Sequence, residues 1–219
     1  MELTLETIPQ KEALRYLGVK QSPPEDLLQQ VNDACAALLP HCRPRYVWRL
    51  VDKADLPGLG LELPGEDVPT LLQDCQKVVL LALTLGEGVD TLIRRAGLTS
   101  PGQALLLDAC ASAACEAACD KLQELLEGQL CTHGLYPTDR FSPGYGDLPL
   151  TVQTPLLTLL DAQRRCGILL SPTLIMTPRK SVTALFGLAD RPQGKRSRGC
   201  GFCSMKQNCS YRKAGITCA

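Results

Sequence analysis

Between Arg140 and Leu150 the chain reads Arg-Phe-Ser-Pro-Gly-Tyr-Gly-Asp-Leu-Pro-Leu, a set of residue types suited to gripping a small ligand. Pro143 and Pro149 donate no backbone N–H, while Gly144 and Gly146 admit positive φ and close approach of a ligand to the backbone. Tyr145 stands between the two glycines. Loops this restricted often carry function. Pro and Gly also serve simply to steer a chain between two helices, and composition leaves both readings standing.

A second group of chemically capable residues closes the chain. Cys200, Cys203, Cys209 and Cys218 follow the spacing Cys-x2-Cys-x5-Cys-x8-Cys. Thiols clustered at short spacing in a reducing compartment read as metal ligands or redox groups. Four thiolates suit a closed tetrahedral zinc site. They suit a 4Fe–4S cluster equally well, and the surrounding Lys and Arg would stabilise its negative charge. Cys200-Gly201-Phe202-Cys203 resembles a dithiol pair, though no thioredoxin-like βαβ pattern surrounds it. An unliganded tail is the remaining reading. The other eight cysteines (Cys35, Cys42, Cys75, Cys110, Cys115, Cys119, Cys131, Cys166) sit in helical or apolar contexts, where free cysteine packs as a small hydrophobe. Cys115 and Cys119 lie one turn apart, without a His or further thiol at ligand spacing, so core packing is expected there too.

These residues must be positioned by a chain of 219 residues, enough for one good core or a domain with an appendage. No apolar run is long enough to span a bilayer. The first residues, Met1-Glu2-Leu3-Thr4-Leu5-Glu6, lack both the basic and the apolar region of a signal peptide, and a cytoplasmic location is expected. A formal net charge of zero hides an asymmetry. From Arg191 onward there are seven basic residues and no acidic one, leaving sixteen basic against twenty-three acidic residues in 1–190. Such opposition suggests that the tail docks on its own body or faces a partner.

Helices are expected over Gln10–Leu17, from Glu25 to Pro40, from Gly86 to about Ala96, over about Gln103–Glu127, and from the loop to Cys166-Gly167. Gly86-Glu87-Gly88 lacks the third glycine and the lysine of phosphate-binding motifs and reads as a tight strand-to-helix turn. Arg45–Val51, Val78–Thr84, Ile168–Met176 and Ser181–Leu188 have strand character, the last alternating around Val182, Ala184 and Phe186. Pro57–Pro69 reads as a loop or short hairpin. Without a regular βαβ rhythm, the expected fold is α+β. It would be a twisted, mainly antiparallel sheet with several helices, one domain over 1–190 followed by the basic, Cys-rich tail 191–219.

The Arg140–Pro149 loop resembles the S-adenosylmethionine-binding signature of the activation domain of cobalamin-dependent methionine synthase. That signature is an arginine, three spacers, Gly-Tyr, and a proline a few residues on, here Arg140, Gly144, Tyr145 and Pro149. Downstream, Ile175-Met176-Thr177-Pro178-Arg179-Lys180-Ser181-Val182-Thr183 resembles the family's Met-x-Pro-x-x-Ser-Val-Ser/Thr block. Glu12-Ala13-Leu14-Arg15-Tyr16-Leu17-Gly18 resembles the opening of small standalone relatives. One stretch departs. The family continues after its proline with Asp-His-Thr-Glu-Lys, whereas Pro149 is followed by Leu150-Thr151-Val152-Gln153-Thr154, and Asp147 is the carboxylate left nearby.

The resemblance implies an accessory protein for reductive reactivation of a corrinoid-dependent methyltransferase. S-adenosylmethionine would be the methyl donor, and the cobalamin would be carried by a partner, a methionine synthase or another corrinoid protein. In the family this loop faces the corrin ring. The implied ligand-binding residues are Arg140, Pro143, Gly144, Tyr145, Gly146, Asp147 and Pro149, with Met176 and Ser181 from the second block. Arg140 offers a forked donor suited to a carboxylate, and Tyr145 a π-face and a hydroxyl. The rival expectation is non-enzymatic, a metal-binding interaction module docking through its basic tail. A basic cysteine cluster without aromatic interleaving argues against nucleic acid as that partner.

Overall fold

The computed structural model describes residues 3–19, 22–131, 134–193 and 207. Cys200, Cys203, Cys209 and Cys218 lie outside them. In chain order the elements are α1 (Gln10–Tyr16), α2 (Glu25–Leu38), β1 (Arg45–Asp52), α3 (Asp67–Leu71), β2 (Cys75–Thr84), α4 (Glu87–Thr99) and α5 (Pro101–Leu130). Then come β3 (Tyr136–Pro137), α6 (Gln153–Leu159), α7 (Ala162–Cys166), β4 (Leu169–Leu170), β5 (Met176–Thr177) and β6 (Ser181–Ala189). The fold is α+β, as expected. A four-stranded antiparallel sheet has the order β1-β2-β6-β3, and β4 and β5 form a separate two-stranded hairpin. Among the described residues no helix is long and apolar enough to cross a membrane.

The chain divides into two compact units. One comprises Met1–Val47, Ala82–Leu126 and Leu160–Val182, the other Trp48–Leu81, Glu127–Leu159 and Thr183–Ala219, so the division falls within β1, β2 and β6.

The first unit is built around α2 and α5. Pro24 precedes α2, and Glu25 and Asp26 in its first turn suit the positive end of the helix dipole. Its buried side carries Val31, Ala34, Cys35 and Leu38. The Ala/Cys/Ser run of α5 buries Ala109, Cys110, Ala111, Ala113, Ala114, Cys115, Ala118 and Cys119, and such small side chains let a neighbour come close. Sγ of Cys35 and Sγ of Cys110 are 3.4 Å apart. Just beyond the strand ends, Arg43 N–H donates to Leu85 O at 2.8 Å and Leu85 N–H donates to Lys180 O at 2.9 Å. The Gly86–Gly88 pair is a strand-to-helix turn. Gly86 has φ 89° and donates its N–H to Thr84 Oγ1 at 3.1 Å, and a Cβ at Gly88 would lie 3.0 Å from His41 O.

The second unit holds the inner lengths of the long strands. Val78, Val79, Leu80 and Leu81 of β2 are wholly buried, as are Ala184, Leu185 and Phe186 of β6. The alternation expected for β6 is therefore absent. Thr183–Ala189 is buried on both faces, as a strand inside a covered sheet must be. At Gly187 an added Cβ would overlap Cys75 Sγ and lie 2.6 Å from Leu72 Cδ2, so only glycine fits.

Two further expectations are corrected. The strand expected over Ile168–Met176 is a hairpin, because Ser171-Pro172-Thr173 makes a turn. Ser171 N–H donates to Ile175 O, Leu174 N–H donates to Ser171 O, both at 2.9 Å, and Leu174 has φ 62°. The single helix expected after the loop is two helices, broken at Asp161, which takes the left-handed conformation that Asp tolerates. Of the two readings of Pro57–Pro69 the loop holds, as turns and irregular chain up to Glu66, with α3 starting at Asp67. The two-residue β3 has no sequence signal of its own. It is defined by pairing, Tyr136 with Ala189 and Pro137 with Leu188.

Seven of the eight cysteines outside the tail are buried, and Cys131 is half-buried. Burial pushes the Cys75 and Cys166 thiols up, and takes Cys42 to about 11. A hydrogen bond with Cys119, followed by burial, raises Cys115. These are neutral packing groups.

Candidate ligand-binding loop

The Arg140–Pro149 loop belongs wholly to the second unit. Its first end is fixed to β6. Phe141 N–H donates to Leu185 O and Leu185 N–H donates to Phe141 O, each at 2.8 Å. One step earlier, Thr138 N–H donates to Gly187 O and Gly187 N–H donates to Thr138 Oγ1, both at 2.9 Å. Phe141 and Leu148 are 5% and 1% exposed, and Pro143 is also buried, so three apolar side chains hold the loop from within. Fully burying side chains of this kind is worth about 1.5–3 kcal/mol each for the larger ones. Tyr145, by contrast, is 59% exposed at the tip.

Between these anchors the backbone closes two overlapping turns. Tyr145 N–H donates to Ser142 O at 3.2 Å, Leu148 N–H to Tyr145 O at 3.1 Å, and Gly144 N–H to Leu148 O at 2.9 Å. Gly144 has φ 90° and Gly146 φ 54°, both in the region that favours glycine. A Cβ at Gly146 would overlap Asp67 Oδ2 and approach Phe141 Cζ at 3.1 Å. The glycine is thus required twice, for its torsion and for space.

Asp147 turns away from the tip toward the start of α3. Its Oδ2 accepts the Glu66 N–H at 2.6 Å and its Oδ1 accepts the Asp67 N–H at 3.2 Å. These are first-turn donors that the helix cannot satisfy itself. Gly65, with φ 96°, lies so close that a Cβ there would be 2.6 Å from Asp147 Cγ. Gly65, Glu66 and Asp67 are therefore parts of the loop's support that sequence reasoning missed. The only local hint was a Pro64-Gly65 pair inside a segment read as a connector. Pro149 is exposed and leads into a 3-10 turn, Leu150–Val152, whose Val152 N–H donates to Pro149 O at 3.2 Å. The stretch that departs from the family pattern is thus the entry to α6. Arg140 is half-buried, next to the Phe141 bridge.

Met176 and Ser181 lie in the first unit. Met176 opens β5 and is half-buried. Ser181 is buried and its Oγ donates to Pro178 O at 2.6 Å. Two helices of that unit hold the block between them. Arg179 N–H donates to Asp90 Oδ2 of α4 at 2.7 Å. Lys180 Nζ reaches Asp108 Oδ1 and Ser112 Oγ of α5, each at 2.9 Å. Asp90, Asp108 and Ser112 were not singled out from sequence, since helix-face polar residues look alike until their partner is known.

A cavity of about 480 Å³ runs along Arg49–Asp52, Ala54, Asp55, Gly58 and Leu59 of the second unit, and among the described residues none of the sequence-derived site residues lines it. At the start of the tail, Arg191 Nη2 pairs with Asp74 Oδ1 at 2.6 Å. Among the described residues no group of three or more His, Cys, Asp and Glu is placed to hold a metal ion.

No family model matches the chain, and no curated protein matches it. Among solved structures it is similar to the crystal structure of the MetH reactivation domain bound to AdoHcy, with a TM-score of 0.65. The match covers 99% of this chain and 85% of that one, at 16% sequence identity. The likeness is one of fold, and it extends over nearly the whole chain.

Proposed function

We propose that this chain is an accessory protein for reductive reactivation of a corrinoid-dependent methyltransferase, with S-adenosylmethionine as methyl donor. The observation that carries the reading is the fold shared over 99% of the chain with a reactivation domain bound to AdoHcy. AdoHcy, S-adenosylhomocysteine, is what S-adenosylmethionine becomes on losing its methyl group. The Arg140–Pro149 signature supports the reading independently, since sequence alone pointed to the same domain.

The residues fit such a ligand. Gly144 and Gly146 add no side chain of their own to the loop, and at Gly146 the packing of Asp67 and Phe141 leaves space for none. Tyr145 presents an exposed ring suited to a cationic sulfonium or an adenine face. Arg140 carries a fork matched to the ligand's carboxylate. Asp147, engaged with the start of α3, acts here by holding Gly146 and Tyr145 in place. When bound, the donor and the partner's corrinoid supply the chemistry. The donor would supply a methyl cation equivalent and the partner's corrinoid the metal that accepts it, with one electron drawn in alongside. The chain's own contribution is to orient and to provide electrostatics. The block containing Met176 and Ser181 is assigned to the same activity through its sequence, and substitution there is a separate test.

Four thiolates from Cys200, Cys203, Cys209 and Cys218 suit zinc or a 4Fe–4S cluster. A cluster would be able to deliver the electron, whereas zinc would leave that to another protein. Iron, zinc and sulfide analysis of protein purified without oxygen, with its visible spectrum, separates the two.

The functional test is S-adenosylhomocysteine binding by calorimetry, paired with recovery of a corrinoid methyltransferase stalled as Co(II). Tyr145→Ala and Arg140→Ala are expected to abolish both at an unchanged melting temperature for Tyr145→Ala. Unchanged recovery in the two variants would sink the assignment of the loop. Salt-sensitive, tail-dependent association with no ligand binding would favour the interaction-module reading instead.

A further inference from the structure

Two thiols from separate helices meet in the first unit, and the function proposed above makes no use of them. Cys35 on α2 and Cys110 on α5 stand 75 positions apart in sequence, with their sulfurs 3.4 Å apart. Cys110 is wholly buried and Cys35 is 9% exposed. Cys110 Sγ also lies 3.9 Å from Val31 O, one turn before Cys35. An S–S bond is about 2.05 Å long. Closing it here needs the sulfurs to approach by little more than an ångström. Toward the C-terminus of α5 the residues sharing the face of Cys110 are Ala113 and Ala114, both small and buried, while Leu106 and Leu107 lie on its N-terminal side.

We infer that Cys35 and Cys110 form a redox-modification site, a vicinal thiol pair that a hydroperoxide converts to a disulfide joining α2 to α5. The proposal is independent of the methyl-donor reading. Cys35 is the attacking thiol, since it is the more exposed of the two and its hydrogen bond with Cys110 holds its pKa below the ordinary value. Cys110 keeps its proton, raised first by the bond with Cys35 and then by burial. The Cys35 thiolate attacks one peroxide oxygen, the O–O bond breaks, and a sulfenic acid forms with release of water or an alcohol. Cys110 sulfur then attacks Cys35 sulfur, the S–O bond breaks, and the departing hydroxide leaves as water with the Cys110 proton. Two thiols lose two electrons and two protons, and the peroxide is reduced to two waters or, if organic, to an alcohol and water.

The test uses the full chain, purified without oxygen, then exposed to hydrogen peroxide and alkylated under denaturing conditions. Peptide mapping is expected to recover Cys35 and Cys110 in one crosslinked pair that has lost two hydrogens, with both alkylatable thiols regained after dithiothreitol. The oxidised chain is expected to melt at a higher temperature than the reduced chain, a shift absent in Cys35→Ser. In Cys110→Ala a cyclic-dione probe is expected to trap the sulfenic acid at Cys35. Full alkylation of both residues after peroxide overturns the proposal. So does a disulfide that instead joins Cys131 or the tail cysteines while Cys35 and Cys110 remain free.

Discussion

The Glu66 N–H donates to Asp147 Oδ2 at 2.6 Å, tying the start of α3 to a loop 81 residues later in sequence. The same carboxylate accepts from Asp67, and Gly65 leaves the room it needs. A charged acceptor on backbone donors makes the stronger class of hydrogen bond, about 1.5–3 kcal/mol. The exposure of this one argues for the low end. Asp147→Ala is expected to lower the unfolding free energy by about 1.5 kcal/mol in urea titration. It should also weaken S-adenosylhomocysteine binding, because Gly146 and Tyr145 lose their support. A variant with native stability and native affinity would show that the tie supports neither.

The parts of this arrangement that sequence revealed are those with local signals. Pro143, Gly144, Gly146 and Pro149 announce an irregular loop because their backbone preferences are intrinsic. Most of α5 is announced by the helix-compatible run over about Gln103–Glu127, and the structure extends it to Pro101–Leu130. Long-range partners carry no such mark. Asp147 looked like a carboxylate available to a ligand, because nothing near it in sequence shows that the Glu66 and Asp67 donors will arrive there. The hairpin at Ser171–Ile175 was hidden differently, as apolar residues on both sides of a turn resemble one buried strand. The alternation read into β6 failed because coverage of both faces is decided by the rest of the fold.

Lys180 is another such long-range partner. Its side chain is 14% exposed and meets Asp108 and Ser112, while Asp108 retains 42% exposure. Lys180→Met keeps the length of the stem and removes the charge. It is expected to cost about 1.5–3 kcal/mol, limited by the water that Asp108 can recruit. A double-mutant cycle with Asp108→Asn should return a coupling energy clearly above that of an exposed pair, about 1 kcal/mol or less. Additive losses would mean that the pair is incidental to the position of the Met176–Ser181 block.

Gln153 opens α6 with its side-chain Oε1 buried and without a hydrogen-bond partner among the described residues, at 6% residue exposure. An unsatisfied buried acceptor costs about 1–3 kcal/mol. Methionine has similar length and helix propensity without the polar atom. Gln153→Met is therefore expected to raise the melting temperature, by an amount equivalent to about 1 kcal/mol. A fall in stability would show that the amide is satisfied in solution, by water or a bound molecule.

Cys42 sets the response of the first unit to alkali. Burial pushes its thiol from the ordinary value near 9 up to about 11, with nearby Arg43 opposing the shift. The folded chain consequently holds this proton more tightly than the unfolded chain. Below about pH 9 both states are protonated and the contribution to stability is complete. As pH rises from there through about 11, the unfolded state releases its proton first and that stability is lost. Cys166 of the same unit, also raised by burial, adds to the same slope, and Cys75 acts in the same direction in the second unit. Urea midpoints should therefore fall between pH 9 and 11, and Cys42→Ala should flatten part of the decline. Native alkylation at pH 8.5 gives the second check, at about the ordinary thiol pKa. Cys42 should stay unmodified while denatured protein reacts fully, and rapid labelling of native Cys42 would contradict both its burial and the raised value.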